Sequence, residues 1–105
     1  MALKQVTAGE WESEVLQHDG VVLVDFYADW CGPCRWLAPL LEKFAGENAE
    51  RVKVVKVDSD ADEALSEQYM VKKIPTLIAF KGGQELRRAI NPQSRGELER
   101  LIAEG

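Results

Sequence analysis

The sequence predicts an α/β fold in which a mixed sheet carries helices on both of its faces. The first half of the chain alternates strand patterns with helix patterns, which requires parallel strands joined by right-handed crossovers. The second half ends in two strands separated by Gly82-Gly83, a typical hairpin signal, and then a last helix. The order β α β α β α β β α therefore predicts five strands and four helices.

Length, charge and hydropathy limit the class of protein. A chain of 105 residues fits a single domain over residues 1–105 with one core. With 46% hydrophobic and 30% charged residues it should fold, and its net charge of −5 argues against nucleic-acid binding. No apolar run approaches the ~20 residues that cross a bilayer. Because residues 1–5 also lack an apolar signal core, we expect a cytoplasmic protein without membrane association.

The N-terminal region predicts a short edge strand and a capped helix. Leu3–Val6 is a candidate edge strand, and Thr7 and Glu10 have capping-box spacing at a helix start. This helix should end at Asp19-Gly20. His18, the only histidine, lies in its last turn, where a cation suits the helix carbonyls; a role as ligand or base is the alternative.

The segment Val21–Tyr27 predicts the central strand. Both alternating sets of its positions are apolar, which indicates burial on both faces. Asp25 interrupts this run, and a buried carboxylate is costly unless it is paired or neutral. We interpret Asp25 as a buried functional carboxyl; the alternative is a side chain that reaches solvent at the strand end.

The only two cysteines lie in Trp30–Cys34, between this strand and a helix predicted to run to about Asn48. A helix start offers unpaired N–H groups and a partial positive charge. Both favour a thiolate over a thiol, and the thiolate is the nucleophile. The pair is therefore predicted to be a redox dithiol. Pro39 falls inside the helix and removes one of its hydrogen bonds.

A third strand and an acidic segment follow. Arg51–Val57 reads as a largely buried strand, and Lys56 within it is placed to approach Asp25 from the neighbouring strand. The segment 58–63 starts like a calcium loop but has glutamate at the sixth position, where glycine is required. It therefore predicts a helix start with Asp60 as the N-cap.

The C-terminal region predicts a hairpin and a capped helix. Leu77–Phe80 and Glu85–Ile90 are its strands. Ser94 and Glu97 repeat the capping-box spacing and begin the last helix.

Five segments, in a fixed order and spacing, carry a resemblance to a known family. They are Val24–Cys34, Ala38-Pro39, Lys56–Asp58, Ile74–Leu77 and Phe80–Gly83. Together they resemble the thioredoxin family over the whole chain. The resemblance implies the thioredoxin fold, a thiol–disulfide oxidoreductase activity, no bound cofactor and a cis peptide bond before Pro75.

The resemblance and the chemistry of thiols together assign roles to the site. Cys31, nearer the helix start and expected to be the more exposed thiol, attacks a substrate disulfide. Cys34 then attacks the Cys31 sulfur and releases the reduced substrate. Asp25, with a raised pKa, accepts the Cys34 proton directly or through one water, and Lys56 modulates that carboxyl. Gly32-Pro33 stiffens the loop between the thiols.

The resemblance also implies a substrate-binding surface around Cys31. Its residues are Trp30, Gly32, Pro33, Lys73, Ile74, Pro75 and Asn91. Three positions depart from the family pattern. Tyr27 stands where tryptophan is frequent, Lys73 where a small residue is usual, and Asn91-Pro92 where Gly-Ala is usual. The last two leave the substrate range open.

We therefore expect a monomeric protein-disulfide reductase that serves cell redox homeostasis and electron transport. The resemblance implies recycling by a thioredoxin reductase drawing on NADPH, and substrates such as ribonucleotide reductase, methionine sulfoxide reductase and peroxiredoxin. An oxidant or isomerase is the alternative, against which Gly32-Pro33 argues. A zinc module would need more ligands than two cysteines and His18. An additional scaffold role stays open.

Overall fold

A mixed five-stranded sheet organises the computed structural model, which describes residues 3–104. Its strands are β1 (Lys4–Gln5), β2 (Val21–Tyr27), β3 (Val52–Asp58), β4 (Thr76–Lys81) and β5 (Gln84–Ile90). Their order in the sheet is β1-β3-β2-β4-β5. β3 pairs in parallel with β1 and β2, whereas β4 is antiparallel to both β2 and β5. The predicted mixed sheet is confirmed.

The helical segments of the described residues number four. The first is a 3-10 turn (Ala8–Glu10) followed by a π-helical turn (Glu12–Leu16). The others are α1 (Gly32–Glu47), α2 (Glu63–Gln68) and α3 (Arg95–Ile102).

Membrane crossing requires a long and apolar helix. None of the helices within residues 3–104 has that combination of length and hydropathy.

The first helical segment is capped as predicted but wound differently. The Thr7 N–H donates to Glu10 Oε1 at 3.1 Å. We expected one regular helix here, and the 3-10 and π turns correct that expectation. Trp11 is buried, and its Nε1 donates to the Tyr69 hydroxyl at 3.0 Å. In so short a segment, packing of this kind outweighs the weak preference for a regular helix.

The start of α2 is a second correction. The N-cap is Asp62, not Asp60 as the sequence suggested. Asp58 Oδ1 accepts the N–H groups of Asp60 at 2.9 Å and Ala61 at 3.3 Å. An aspartate that bonds its own downstream backbone forms a turn that competes with the helix. The helix therefore begins only at Glu63.

Two apolar clusters cover the two faces of the sheet. On one face, β2, β3 and β4 pack against α1 and α3; on the other, they pack against the first helical segment and α2. Each residue from Val21 to Phe26 is at most 5% exposed. The prediction that β2 is buried on both faces is therefore confirmed, and it is the reason why a carboxyl on β2 leaves water.

The C-terminal hairpin and the last helix also follow the sequence. Gly82 and Gly83 have φ angles of +61° and +78°, the left-handed conformations that a tight hairpin turn needs. Ser94 is the N-cap of α3, and its Oγ accepts the Glu97 N–H at 3.2 Å.

Candidate active site

The two cysteines lie at the junction of β2 and α1 and form a disulfide with Cα atoms 5.2 Å apart. Cys31 is the N-cap of α1, and its Sγ accepts the Cys34 N–H at 3.2 Å. Pro33 occupies the first turn, where the N–H that proline lacks has no helical partner to lose. Cys31 Sγ therefore sits at the positive end of a helix of 16 residues.

Both cysteines are buried to the same extent. Each is 4% exposed, so the expectation that Cys31 is the more exposed is wrong for this disulfide form. Ile74 explains the burial, because its carbonyl oxygen lies 3.8 Å from Cys31 Sγ and its side chain packs on the cysteine cluster. The difference between the two sulfurs lies in their place on the helix.

The segment that covers Cys31 is held by hydrogen bonds to its backbone carbonyls. The Ile74–Pro75 peptide bond is cis. The Thr76 hydroxyl donates to the Lys73 carbonyl, and the Asn91 N–H donates to the Pro75 carbonyl at 2.8 Å. These contacts place the Ile74 carbonyl beside Cys31, while the Lys73 residue is exposed.

A shallow groove lies beside the disulfide. It is lined by Gly32, Pro33, Trp36, Asn91 and Gln93. Asn91 has a left-handed φ of +51°, which asparagine tolerates better than most residues. Trp36 is 56% exposed and was not among the predicted site residues. Its place outside the apolar stripe of α1, two residues after Cys34, is the signal that could have identified it.

Trp30 borders the disulfide on another side. The residue is 67% exposed, yet its Nε1 donates to Asp60 Oδ2 at 2.7 Å. Asp60 is thus part of the surroundings of the site, which the sequence did not indicate. Thirty residues separate the two, and only the sheet brings their loops together.

Asp25 is buried in the sheet behind the disulfide. The residue is 5% exposed, which overturns the alternative of a solvent-reaching side chain. Burial raises the pKa of Asp25 to about 7, although the nearby Lys56 charge acts to lower it. Asp25 Oδ1 has no hydrogen-bond partner in the described part of the chain.

Asp25 and Cys34 line the same pocket, which has a volume of about 180 Å³. A pocket of this size that is partly lined by charged side chains has room for water. Lys56 also lines it, directly opposite Asp25 in the register of β2 and β3. The Lys56 Nζ lies 5.0 Å from the centre of the Tyr27 ring. The sequence-predicted dithiol, carboxyl and lysine therefore meet at one place.

Comparison with known proteins agrees with this geometry. Residues 2–104 match the family model described as thioredoxin. The chain belongs to the thioredoxin family. It is 41% identical over 101 residues to thioredoxin 1 of Nostoc sp. (strain PCC 7120), which covers 96% of this chain and 94% of that protein. It is 46% identical over 84 residues to the thioredoxin of Chlamydia trachomatis serovar D, with 80% and 81% covered.

A third relative is longer than this chain. It is the bifunctional thioredoxin reductase/thioredoxin of Mycobacterium leprae, 37% identical over 100 residues, which make up 95% of this chain and 22% of that protein. The match thus falls on one part of a protein whose name joins both activities.

Family membership and the disulfide define the reaction class. Thioredoxins are thiol–disulfide oxidoreductases, and the Cys31–Cys34 disulfide is the redox-active pair of this protein-disulfide reductase. The fold is the thioredoxin fold. Among residues 3–104, no three His, Cys, Asp or Glu side chains are grouped so that they could hold a metal ion.

Proposed function

We propose that this protein-disulfide reductase works in the cytoplasm and that Cys31 is its nucleophile. The observation that carries the proposal is the hydrogen bond from the Cys34 N–H to Cys31 Sγ at the start of α1. A backbone donor and the helix dipole both stabilise negative charge on that sulfur. Cys34, inside the first turn, has no equivalent place.

The exchange runs in two steps that transfer two electrons. The Cys31 thiolate attacks one substrate sulfur, the substrate disulfide breaks, and the leaving sulfur takes up a proton. Cys34 then loses its proton and attacks Cys31 Sγ in the mixed disulfide. The second substrate sulfur leaves as a thiolate, and the Cys31–Cys34 disulfide forms.

Asp25 is proposed as the proton acceptor for Cys34. The two residues line one pocket, and a water bridging them would complete the path. A carboxyl with a pKa of about 7 is suited to exchange a proton with a thiol near neutral pH. Lys56 modulates this carboxyl, because its positive charge favours the ionised form.

The surface around Cys31 is proposed to hold the substrate. Its members are Trp30, Gly32, Pro33, Lys73, Ile74, Pro75 and Asn91. The short distance between Cys31 Sγ and the Ile74 carbonyl, the exposed ring of Trp30 and the groove beside Gly32-Pro33 support this proposal. Lys73 contributes positive charge, and Asn91 narrows the groove.

Recycling is proposed to depend on a thioredoxin reductase that draws on NADPH, so that the protein carries electrons for cell redox homeostasis. The Mycobacterium leprae relative, whose name joins a thioredoxin reductase to a thioredoxin, supports this partner. The proposed substrates are ribonucleotide reductase, methionine sulfoxide reductase and peroxiredoxin. The protein is proposed to act as a monomer.

The reduction potential tests the direction of the reaction. The protein is equilibrated with dithiothreitol or glutathione buffers of defined ratio, and its oxidised fraction is measured. A reductase should stay oxidised until the buffer is strongly reducing. A potential as positive as about −180 to −120 mV would instead assign the protein as an isomerase or oxidant.

A further inference from the structure

Three strands place three polar side chains in one row beside the active site. Gln5 of β1 lies opposite Lys56 of β3, and Lys56 lies opposite Asp25 of β2. Residues directly opposite each other in neighbouring strands point to the same face of the sheet. Tyr27 follows Asp25 by two positions on β2 and therefore shares that face.

The Tyr27 side chain crosses this row. Its hydroxyl donates to Gln5 Oε1 at 3.2 Å, so the ring reaches from β2 over β3 to β1. The Lys56 Nζ lies 5.0 Å from the centre of the ring, within the ~6 Å over which a cation is attracted to an aromatic face. In contrast, Asp25 Oδ1 has no hydrogen-bond partner among residues 3–104.

We propose that Tyr27 is a positioning residue whose ring holds the Lys56 ammonium and so keeps it from pairing directly with Asp25. The functional meaning of this inference rests on the proposed role of Asp25. An opposite charge brought within ~4–6 Å of a carboxyl stabilises its ionised form and weakens it as a base. With Lys56 on the tyrosine ring, burial dominates and Asp25 remains protonatable near neutral pH.

Other charged groups line the same pocket, and their electrostatic effect on Asp25 should be the same in the wild type and in the Tyr27 variants. Asp29 lies in the loop before α1, and Arg35 and Glu42 lie on α1. The Arg35 Nη1 donates to the Asp29 carbonyl at 2.8 Å, so its charge is held to that loop. On β3, Asp58 lies opposite Tyr27 and, after burial, is the main group that raises the pKa of the phenol. Tyr27 therefore stays a neutral donor to Gln5.

The tyrosine has two separable parts. Its ring holds the ammonium, whereas its hydroxyl anchors the ring to the edge strand. Tyr27→Leu removes both parts, Tyr27→Phe removes only the anchor, and Gln5→Ala removes only the partner of the anchor. Tyr27 is half-buried and packs on the cysteine cluster, and Gln5 is exposed, so these changes stay outside the two main apolar clusters.

The test is an NMR titration of the labelled Asp25 carboxyl carbon in the disulfide form. In Tyr27→Leu, Lys56 is free to approach Asp25, and the midpoint should fall by about one pH unit, the lower end of the effect of a close opposite charge. Tyr27→Phe and Gln5→Ala should lower it by less. In a Lys56→Met background, Tyr27→Leu should leave the midpoint unchanged.

Two results would overturn the proposal. One is a titration midpoint in Tyr27→Leu equal to that of the wild type. The other is a midpoint that Tyr27→Leu shifts by the same amount in the Lys56→Met background as in the wild-type background. If Tyr27→Leu does not fold, as judged by circular dichroism, Tyr27→Phe and Gln5→Ala decide by the same criterion. The titration involves no turnover, so it can fail without the proposed function failing. Failure of the proposed role of Asp25 would instead be seen as normal substrate release in Asp25→Asn.

Discussion

Trp30 Nε1 donates a hydrogen bond to Asp60 Oδ2 at 2.7 Å, which joins the residue before Cys31 to the loop after β3. Trp30 is 67% exposed, so packing alone does not define the orientation of its ring. The hydrogen bond fixes the indole before a partner arrives. A contact surface fixed in advance loses less conformational freedom on binding.

Asp60→Ala should release this indole. We expect faster solvent exchange of the Trp30 indole proton and a KM for a protein disulfide that rises severalfold with kcat little changed. The free energy of unfolding should change by less than about 1 kcal/mol, because the contact is exposed. NMR exchange and steady-state reduction assays measure these effects. Asp60→Asn retains an acceptor and is the control; equal KM increases in both variants would contradict the role of the hydrogen bond.

Asp25 should make the protein less stable as the pH rises. Its pKa is about 7 in the folded protein against an ordinary value of 3.8, so folding favours the protonated carboxyl. The stabilisation is complete below pH ~4 and is lost progressively up to pH ~7. At ~1.36 kcal/mol per pH unit, the total loss is about 4 kcal/mol.

Urea unfolding of the disulfide form at pH 4.5, 6 and 8 measures this loss. Asp25→Asn lacks the titrating group, so its stability advantage over the wild type should grow with pH and level off above pH ~8. The same variant should release substrate from the mixed disulfide more slowly at neutral pH. An advantage that does not vary with pH would show that Asp25 titrates normally.

Lys73 should favour acidic substrates. The next residue, Ile74, has its carbonyl 3.8 Å from Cys31 Sγ, and Lys73 itself is exposed. We expect its charge to act on partners bound at Cys31 if the two lie within a Debye length, ~10 Å at 0.1 M salt. Lys73→Met should lower the ratio of reduction rates for an acidic and a basic disulfide peptide about twofold at low salt, and thiolate absorbance should show a higher Cys31 pKa.

Lys72→Met is the matched control, since it removes the same charge one residue farther from Ile74. Both effects of Lys73→Met should disappear at 1 M salt, where the Debye length is ~3 Å. If Lys72→Met and Lys73→Met change the rate ratio equally, the ratio depends on the net charge of the protein and not on the position of Lys73.

Asn91 should limit access to the groove beside the disulfide. Asn91→Gly removes the side chain and suits the left-handed φ of +51°, so it should retain stability and reduce bulky disulfide substrates faster. Asn91→Ala also removes most of the side chain but must adopt a φ that alanine disfavours, and we expect a loss of about 1 kcal/mol. Substrate series with small and bulky flanking residues measure the effect. Equal rates for Asn91→Gly and the wild type across the series would show that the groove takes no part.

Much of this fold is readable from periodicity and local signals. The burial of β2, the Gly82-Gly83 turn and the Ser94 cap are each indicated by residues close in the chain, and the structure confirms them. The predicted start of α2 was wrong for two reasons. The Asp60 N–H donates to Asp58 Oδ1 in a turn, and the Asp60 carboxylate, which would have capped the helix, accepts the Trp30 indole N–H. The Trp30 contact joins segments 30 residues apart, which local patterns do not encode, whereas the Asp58 turn is a local alternative to a helix start.

The site shows the same division. The spacing of Cys31 and Cys34 and the buried position of Asp25 follow from the sequence. The burial of Cys31 does not, because it depends on Ile74, which lies 43 residues away. The placement of the Lys56 ammonium over Tyr27 likewise depends on the register of β2 and β3.

Trapping of the mixed disulfide tests most directly that Cys31 is the nucleophile. Cys34→Ser and Cys31→Ser proteins are each reduced and mixed with the same substrate disulfide, and the covalent adducts are measured by mass spectrometry. The Cys34→Ser protein should accumulate a stable adduct through Cys31, because no second thiol resolves it. The Cys31→Ser protein should form almost none. An adduct through Cys34 in Cys31→Ser, with none in Cys34→Ser, would reverse the assignment.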